Sequence, residues 1–244
     1  MSPNGNEFYL QTMKIRLFTI PNFITLANLV CGAMAAVAVL RDGNLTLAFY
    51  LVVAAAIFDF FDGMVARLLK QSGPLGVQLD SLADDISFGL VPALVLFALF
   101  GRYNQGTLPE WVGYTTFVVA AFAALRLAKF NIDDTQHTEF EGLPTPAATL
   151  LVTSLGVLAD EFQLVLPAWS VVVIAVLVAV MMVAPVRLFA LKFKGFGWKG
   201  NELRYSFIAL STVLLVLLRL YAVPLVIVLY VLLSLGRNMV CKKH

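Results

Sequence analysis

Charge is what this sequence has least of. Only 13% of its 244 residues are Asp, Glu, Lys or Arg, about half the share found in ordinary soluble domains. The net charge of +2 provides neither a basic surface for nucleic acid nor an acidic disordered tail. Cysteine is as sparse. Cys31 in an apolar run and Cys241 in a basic tail are the only two, too few for a disulfide framework and without the spacing of a thiolate metal site. The two histidines, His137 in a polar stretch and His244 at the last position, stand alone and read as solvated. What is abundant is apolar: 60% of residues are hydrophobic and the mean hydropathy is +0.88. Such a chain expects a bilayer as its solvent.

A helix needs about 20 apolar residues to cross a hydrocarbon core of about 30 Å. Eight runs meet or approach that length: Pro21–Leu40, Leu45–Leu69, Ile86–Phe100, Trp111–Phe130, Pro146–Ala159, Ala168–Leu188, Arg204–Leu218 and Val223–Leu235. Arg219 and Pro224 interrupt the last pair and predict a tight hairpin. The first run is too long and too continuous for a signal peptide. Ahead of it, Phe8–Thr19 alternates apolar side chains with Gln11, Lys14 and Arg16, as an interfacial amphipathic helix would. Trp111, Trp169 and Trp198 read as interfacial anchors.

Lys and Arg are distributed with a strong bias. Fourteen of the seventeen fall at one end of the predicted spans: Lys14, Arg16, Arg67, Lys70, Arg126, Lys129, Arg187, Lys192, Lys194, Lys199, Arg204, Arg237, Lys242 and Lys243. Arg41, Arg102 and Arg219 fall at the other. Basic loops stay cytoplasmic, so both termini are expected there, which requires an even number of spans.

Five of the fifteen acids lie between Asp59 and Asp85, where a membrane helix should have none without a function. Asp59 and Asp62 are spaced i,i+3 and share a helix face; Asp80 and Asp84 are spaced i,i+4 and share another. The turn-rich Gln71–Gly76 between them makes the two helices antiparallel neighbours. Four converging carboxylates in low dielectric require countercharge. Oxygen-only ligands suit Mg²⁺ or Mn²⁺, and four of them suit two ions about 3.5–4 Å apart. Gly63 and Ala66 keep the acid face free of bulk, and Arg67 offers a guanidinium to phosphate. Asp85 falls off that face.

These residues form the pattern Asp59-x2-Asp62-Gly63-x2-Ala66-Arg67-x8-Gly76-x3-Asp80-x3-Asp84, which resembles the CDP-alcohol phosphatidyltransferase motif at every fixed position. The resemblance implies an integral membrane enzyme with a six-helix catalytic core; with the C-terminal transmembrane hairpin read from hydropathy, the chain is expected to be all-α with about eight spans, or six if that hairpin does not cross. It implies that Asp59, Asp62, Asp80 and Asp84 hold two divalent cations and that Asp84 takes the proton from the attacking alcohol. Gly63, Arg67 and the Gly73 region would contact the CDP group. The expected division is a leader at 1–19, the core at 20–190, a basic cytoplasmic loop at 191–203, and the hairpin and tail at 204–244.

Softer likenesses narrow the acceptor. Pro21–Gly32 is similar to the first helix of the bacterial serine-using members, and Asn22 to Thr25 falls where relatives bind the nucleotide. The stretches Ser87–Ala93, Arg126-x3-Phe130-Asn131 and Phe140–Ala148 are similar to the same group. What this implies is transfer of a phosphatidyl group from CDP-diacylglycerol to L-serine in the cytoplasmic membrane, by a homodimer with its active site facing the cytoplasm. Arg126, Lys129 and Asn131 are the candidates for serine itself. Rival readings are a relative using glycerol 3-phosphate or an inositol phosphate, a prenyltransferase with paired aspartate clusters, and a cation-coupled transporter. Acids clustered at one end, with no repeat between the halves, disfavour the last.

Overall fold

A computed structural model describes residues 16–132, 140–164, 166–188 and 201–241. The interfacial segment before Arg16, His137, Trp198, His244, and the basic residues Lys14, Lys192, Lys194, Lys199, Lys242 and Lys243 lie outside the described residues.

The described chain is helical apart from one minimal strand pairing. Helix α1 (Ile20–Leu40) begins where the Thr19 side chain accepts from the Asn22 N–H, with Pro21 in the first turn. A short turn with Gly43 at φ +59° reverses the chain. Asn44 then caps α2 (Leu45–Leu68), accepting from the Leu47 N–H at 2.8 Å. Lys70 at φ +52° and Gly73 make the next turn, and Pro74 opens α3 (Pro74–Asp84).

Helix α3 does not stop at Asp84. A π-helical turn (Asp85–Leu90) carries it into α4 (Val91–Tyr103), giving one helical stretch from Pro74 to Tyr103. The predicted third span, Ile86–Phe100, is therefore the deeper part of a longer element that also bears Asp80 and Asp84. Pro92 does not break it, because it stands in the first turn of α4, just after the π register has shifted.

A 3₁₀ stretch (Glu110–Phe117) leads into α5 (Val118–Ile132), followed by α6 (Thr145–Glu161) and α7 (Ala168–Val183). The sixth predicted run extended to Leu188, but the helix ends at Val183. Past it, β2 (Arg187–Leu188) pairs antiparallel with β1 (Phe140–Glu141). Gly142 makes the crossing possible at φ +75°, where a Cβ would lie 2.2 Å from the Met182 carbonyl. Helices α8 (Glu202–Leu218) and α9 (Ala222–Cys241) meet at a 3₁₀ turn with Arg219 at φ +51°. Phe207 packs against Tyr230 with ring centroids 5.7 Å apart and the rings tilted by 49°, so the chain folds back on itself there.

Helix α4 is the centre of the bundle: every residue from Val91 to Leu96 is buried. Small residues bring neighbours close, with Ala35 and Ala38 on α1, Ala48 and Ala55 on α2, and Ala175 on α7 all nearly inaccessible. Large apolar side chains point outward instead, among them Ile57, Phe60, Leu125, Leu177 and Val216. Five helical stretches are long and apolar enough to cross a membrane by length and composition. They are Ile20–Leu40, Leu45–Leu68, Pro74–Tyr103, Glu110–Ile132 and the bent Arg204–Arg237, with α7 a shorter apolar helix. This is a membrane protein by its apolar exterior.

Candidate active site

Helix direction decides what meets at the acid end. The start of α1, the end of α2, the start of α3 and the end of α5 lie together there. Asp59 and Asp62, in the last three turns of α2, face Asp80 on the second turn of α3. One carboxylate oxygen from each of Asp59, Asp62 and Asp80 falls within 4.8 Å of the others. An ion held about 2.1 Å from each of two oxygens requires them to be no more than about 4.2 Å apart, so little closing is needed.

The donor set fits a hard cation. All three residues are carboxylates, and Asp80 Oδ1 is buried with no hydrogen-bond partner. Among the described residues the ion pairs are Arg41 with Asp42, Arg102 with Asp160 and Lys129 with Glu141, none of them in this cluster. A buried carboxylate oxygen left without a donor is rare unless an ion or water satisfies it.

Asp84 is not one of these three. It lies one turn deeper on α3, buried, and near enough to Asp59 and Asp80 for their charges to interact. Helix α1 serves both acid helices. The Thr25 hydroxyl donates to Asp62 Oδ2 at 2.6 Å, with the Pro21 carbonyl an alternative acceptor at 3.1 Å. One turn on, Asn28 Nδ2 donates to Asp84 Oδ1 at 3.0 Å. Thr25, expected at the nucleotide, thus also braces a carboxylate. Asn28 carried no sequence signal of its own.

Beside the acids is a cleft of about 160 Å³ lined by Asn22, Thr25, Asp62, Gly63, Ala66, Gly73, Gly76 and Asp80, together with Pro21, Gln71, Ser72 and Val77. It gathers most residues expected at the nucleotide. Gly63 and Gly73 have open space where a Cβ would be, and a Cβ on Gly76 would stand 3.7 Å from Asn22 Oδ1. A second cavity of about 560 Å³ shares Asn22, Gln71, Ser72, Gly73 and Gly76 and adds Arg16, Lys70 and Gln78. Arg67, in the last turn of α2, is exposed and lines neither.

The three serine candidates separate. Arg126 on α5 is partly buried, its Nε has no partner, and its charge interacts with that of Asp84. Lys129 is paired with Glu141 at 3.0 Å. Asn131 donates to Ser81 Oγ on α3 at 2.8 Å. Of the three, Arg126 is the one with a buried donor that has no partner.

The family model described as CDP-alcohol phosphatidyltransferase matches residues 18–181. Among curated proteins, the chain is similar to the CDP-diacylglycerol–serine O-phosphatidyltransferase of Helicobacter pylori, with 36% identity over 149 residues, covering 60% of this chain and 61% of that protein. The protein of the same name from Mycobacterium tuberculosis is 34% identical over 157 residues, 61% of this chain and 52% of its own length. That from Bacillus subtilis is 34% identical over 137 residues, 56% of this chain and 75% of its own length. The match thus spans between half and three fifths of the Helicobacter and Mycobacterium relatives.

Proposed function

This chain belongs to the CDP-alcohol phosphatidyltransferase family, and from that premise we propose that it transfers the phosphatidyl group of CDP-diacylglycerol to the hydroxyl of L-serine, releasing CMP. The observation that carries the reading is the meeting of Asp59, Asp62 and Asp80 beside a cleft floored by Gly63 and Gly73. The names of the relatives supply the acceptor.

Asp59, Asp62, Asp80 and Asp84 hold two divalent cations, Mg²⁺ or Mn²⁺. Bound there, such ions supply neutralisation of the pyrophosphate and of charge on the departing phosphate. The chain's own residues do the rest. Asn22, Thr25, Gly63, Ala66, Gly73 and Gly76 shape the cleft for the CDP group, where the two bare glycines let phosphate approach the backbone. Arg67, which lines neither cavity, offers an exposed guanidinium to the substrate's phosphates from the last turn of α2. Asp84 takes the proton from the serine hydroxyl as its oxygen bonds to the phosphorus carrying diacylglycerol; the bond from that phosphorus to the CMP oxygen breaks, and CMP leaves with the electron pair. Arg126 holds the serine carboxylate with a guanidinium that has an unused donor.

The bias of basic residues toward the acid end supports an active site on the cytoplasmic face of the cell membrane and both termini on that side, hence an even number of crossings, eight if the C-terminal hairpin crosses and six if it does not. The proposed core is 20–190 and the proposed hairpin and tail 204–244, with α9 packed against α6. The homodimer rests on the family resemblance.

The test is CMP release by the purified chain in detergent with CDP-diacylglycerol and Mg²⁺ or Mn²⁺, comparing serine, glycerol 3-phosphate and an inositol phosphate. Serine-dependent release that Asp84→Asn abolishes is the expected result. Release with another acceptor keeps the family chemistry and discards serine. Release of inorganic diphosphate in place of CMP would point to a prenyltransferase.

A further inference from the structure

Asn28 lies outside the aspartate motif and lines neither cleft, yet it is the residue that holds Asp84. Its side chain is 0% exposed. Its Nδ2–H donates to Asp84 Oδ1 at 3.0 Å, while its own Oδ1 has no partner. Buried amides normally have both ends satisfied. Here one end is left empty while the other serves a carboxylate, so Asp84 dictates the orientation of the amide. The flipped amide would set two acceptors against each other.

The backbone around this pair is equally constrained. Ser87, three residues past Asp84 on the π turn, donates its hydroxyl to the Asn28 carbonyl at 3.1 Å. One turn further along α1, a Cβ on Gly32 would stand 2.8 Å from Ser87 Cα. Helix α1 and the π turn therefore meet almost backbone to backbone. The partners of the Asn28–Asp84 bond sit on the two sides of this joint, so the fold fixes the backbone separation that the two short side chains bridge.

We propose that Asn28 is a positioning residue for the transfer reaction: it fixes Asp84 by Oδ1 and leaves Oδ2 as the oxygen that receives the hydroxyl proton. This rests on Asp84 being the base in the reaction proposed above. Asn28 touches no substrate, and its effect runs through Asp84. A carboxylate free to swing by about 1 Å loses roughly a hundredfold in rate while its site still binds substrate.

Asn28→Ala and Asn28→Leu, the second keeping the volume without a donor, are compared with the wild-type full chain in detergent. The kcat of CMP release falls about 30–100-fold in both, while KM for CDP-diacylglycerol stays within about threefold. Mn²⁺ binding, followed by electron paramagnetic resonance, is retained. Equal loss in variants of different volume separates the hydrogen bond from packing, and Asn28→Ala carries the test alone if the leucine variant does not fold. Retention of more than about half of kcat by either variant overturns the proposal. So does loss of Mn²⁺ binding with a raised KM, which would make Asn28 part of the metal site. A wild type inert with serine but active with another alcohol overturns only the serine reading, and the variants are then scored with that alcohol. A wild type inert with every alcohol overturns both.

Discussion

Arg126 is the side chain whose surroundings are least explained by folding alone. A guanidinium in low dielectric has all its donors paired when its role is structural. This one has a buried Nε with no partner and a carboxylate, Asp84, as the charge acting on it. A charge-assisted hydrogen bond to a ligand carboxylate is worth about 1.5–3 kcal/mol, or roughly 10–150-fold in affinity. Arg126→Ala should therefore raise the serine KM by at least tenfold with little change in KM for CDP-diacylglycerol. Steady-state kinetics with each substrate varied in turn checks this, and an unchanged serine KM removes Arg126 from the acceptor site. The acids were legible because their spacing is local: i,i+3 and i,i+4 place side chains on one face whatever surrounds the helix. Asn28 was not, since its partner is 56 positions away and only packing brings them together. Lys129 and Asn131 failed to stand out from Arg126 for the same reason, their partners Glu141 and Ser81 being visible only once α5 is docked.

The π turn sets how the acid-bearing element behaves as a whole. Asp84 is its N-cap, and the turn shifts the helix register between the acids and the buried centre at Val91–Leu96. Such turns open the i→i+4 ladder and leave a backbone carbonyl in need of a donor. The Thr149 hydroxyl on α6 supplies one, standing 2.7 Å from the Phe88 carbonyl and 2.8 Å from its own Thr145 carbonyl. Thr149→Val conserves shape and removes the hydroxyl, leaving a buried carbonyl unsatisfied at about 1–3 kcal/mol. The expected result is a lower Tm in detergent and a lower kcat, because the loosened turn begins at Asp84. A Tm equal to wild type by fluorescence-detected unfolding would show that the Phe88 carbonyl does not depend on the Thr149 hydroxyl. Hydropathy could not reveal this turn, since Asp85–Leu90 reads as an ordinary helical segment by period and composition. Nor could it place the end of α7, where an apolar run continues but the pairing of Phe140–Glu141 with Arg187–Leu188 takes over.

At the scale of the molecule, the two ends differ in kind. The acid end holds the converging carboxylates and, among the described residues, the basic Arg16, Arg67, Lys70, Arg126 and Lys129. The far end holds Arg41, the Arg102–Asp160 ion pair, and the exposed Trp111 and Trp169, which suit an aqueous boundary. Basic loops resist translocation, so this asymmetry predicts that the acid end faces the cytoplasm. The measurement is site-directed labelling in a background with Cys31→Ala and Cys241→Ser. A cysteine at Asp42, in the exposed α1–α2 turn, should react in intact cells with a membrane-impermeant maleimide. One at Lys70, exposed on the α2–α3 turn beside the cavity of about 560 Å³, should react only after permeabilisation. The opposite pattern would put the acids outside the cell and would contradict the orientation argued from Lys and Arg. Labelling of both sites in intact cells would mean that the α1–α2 hairpin does not cross, and the acid pair would then lie at a surface where no membrane-depth argument applies to it.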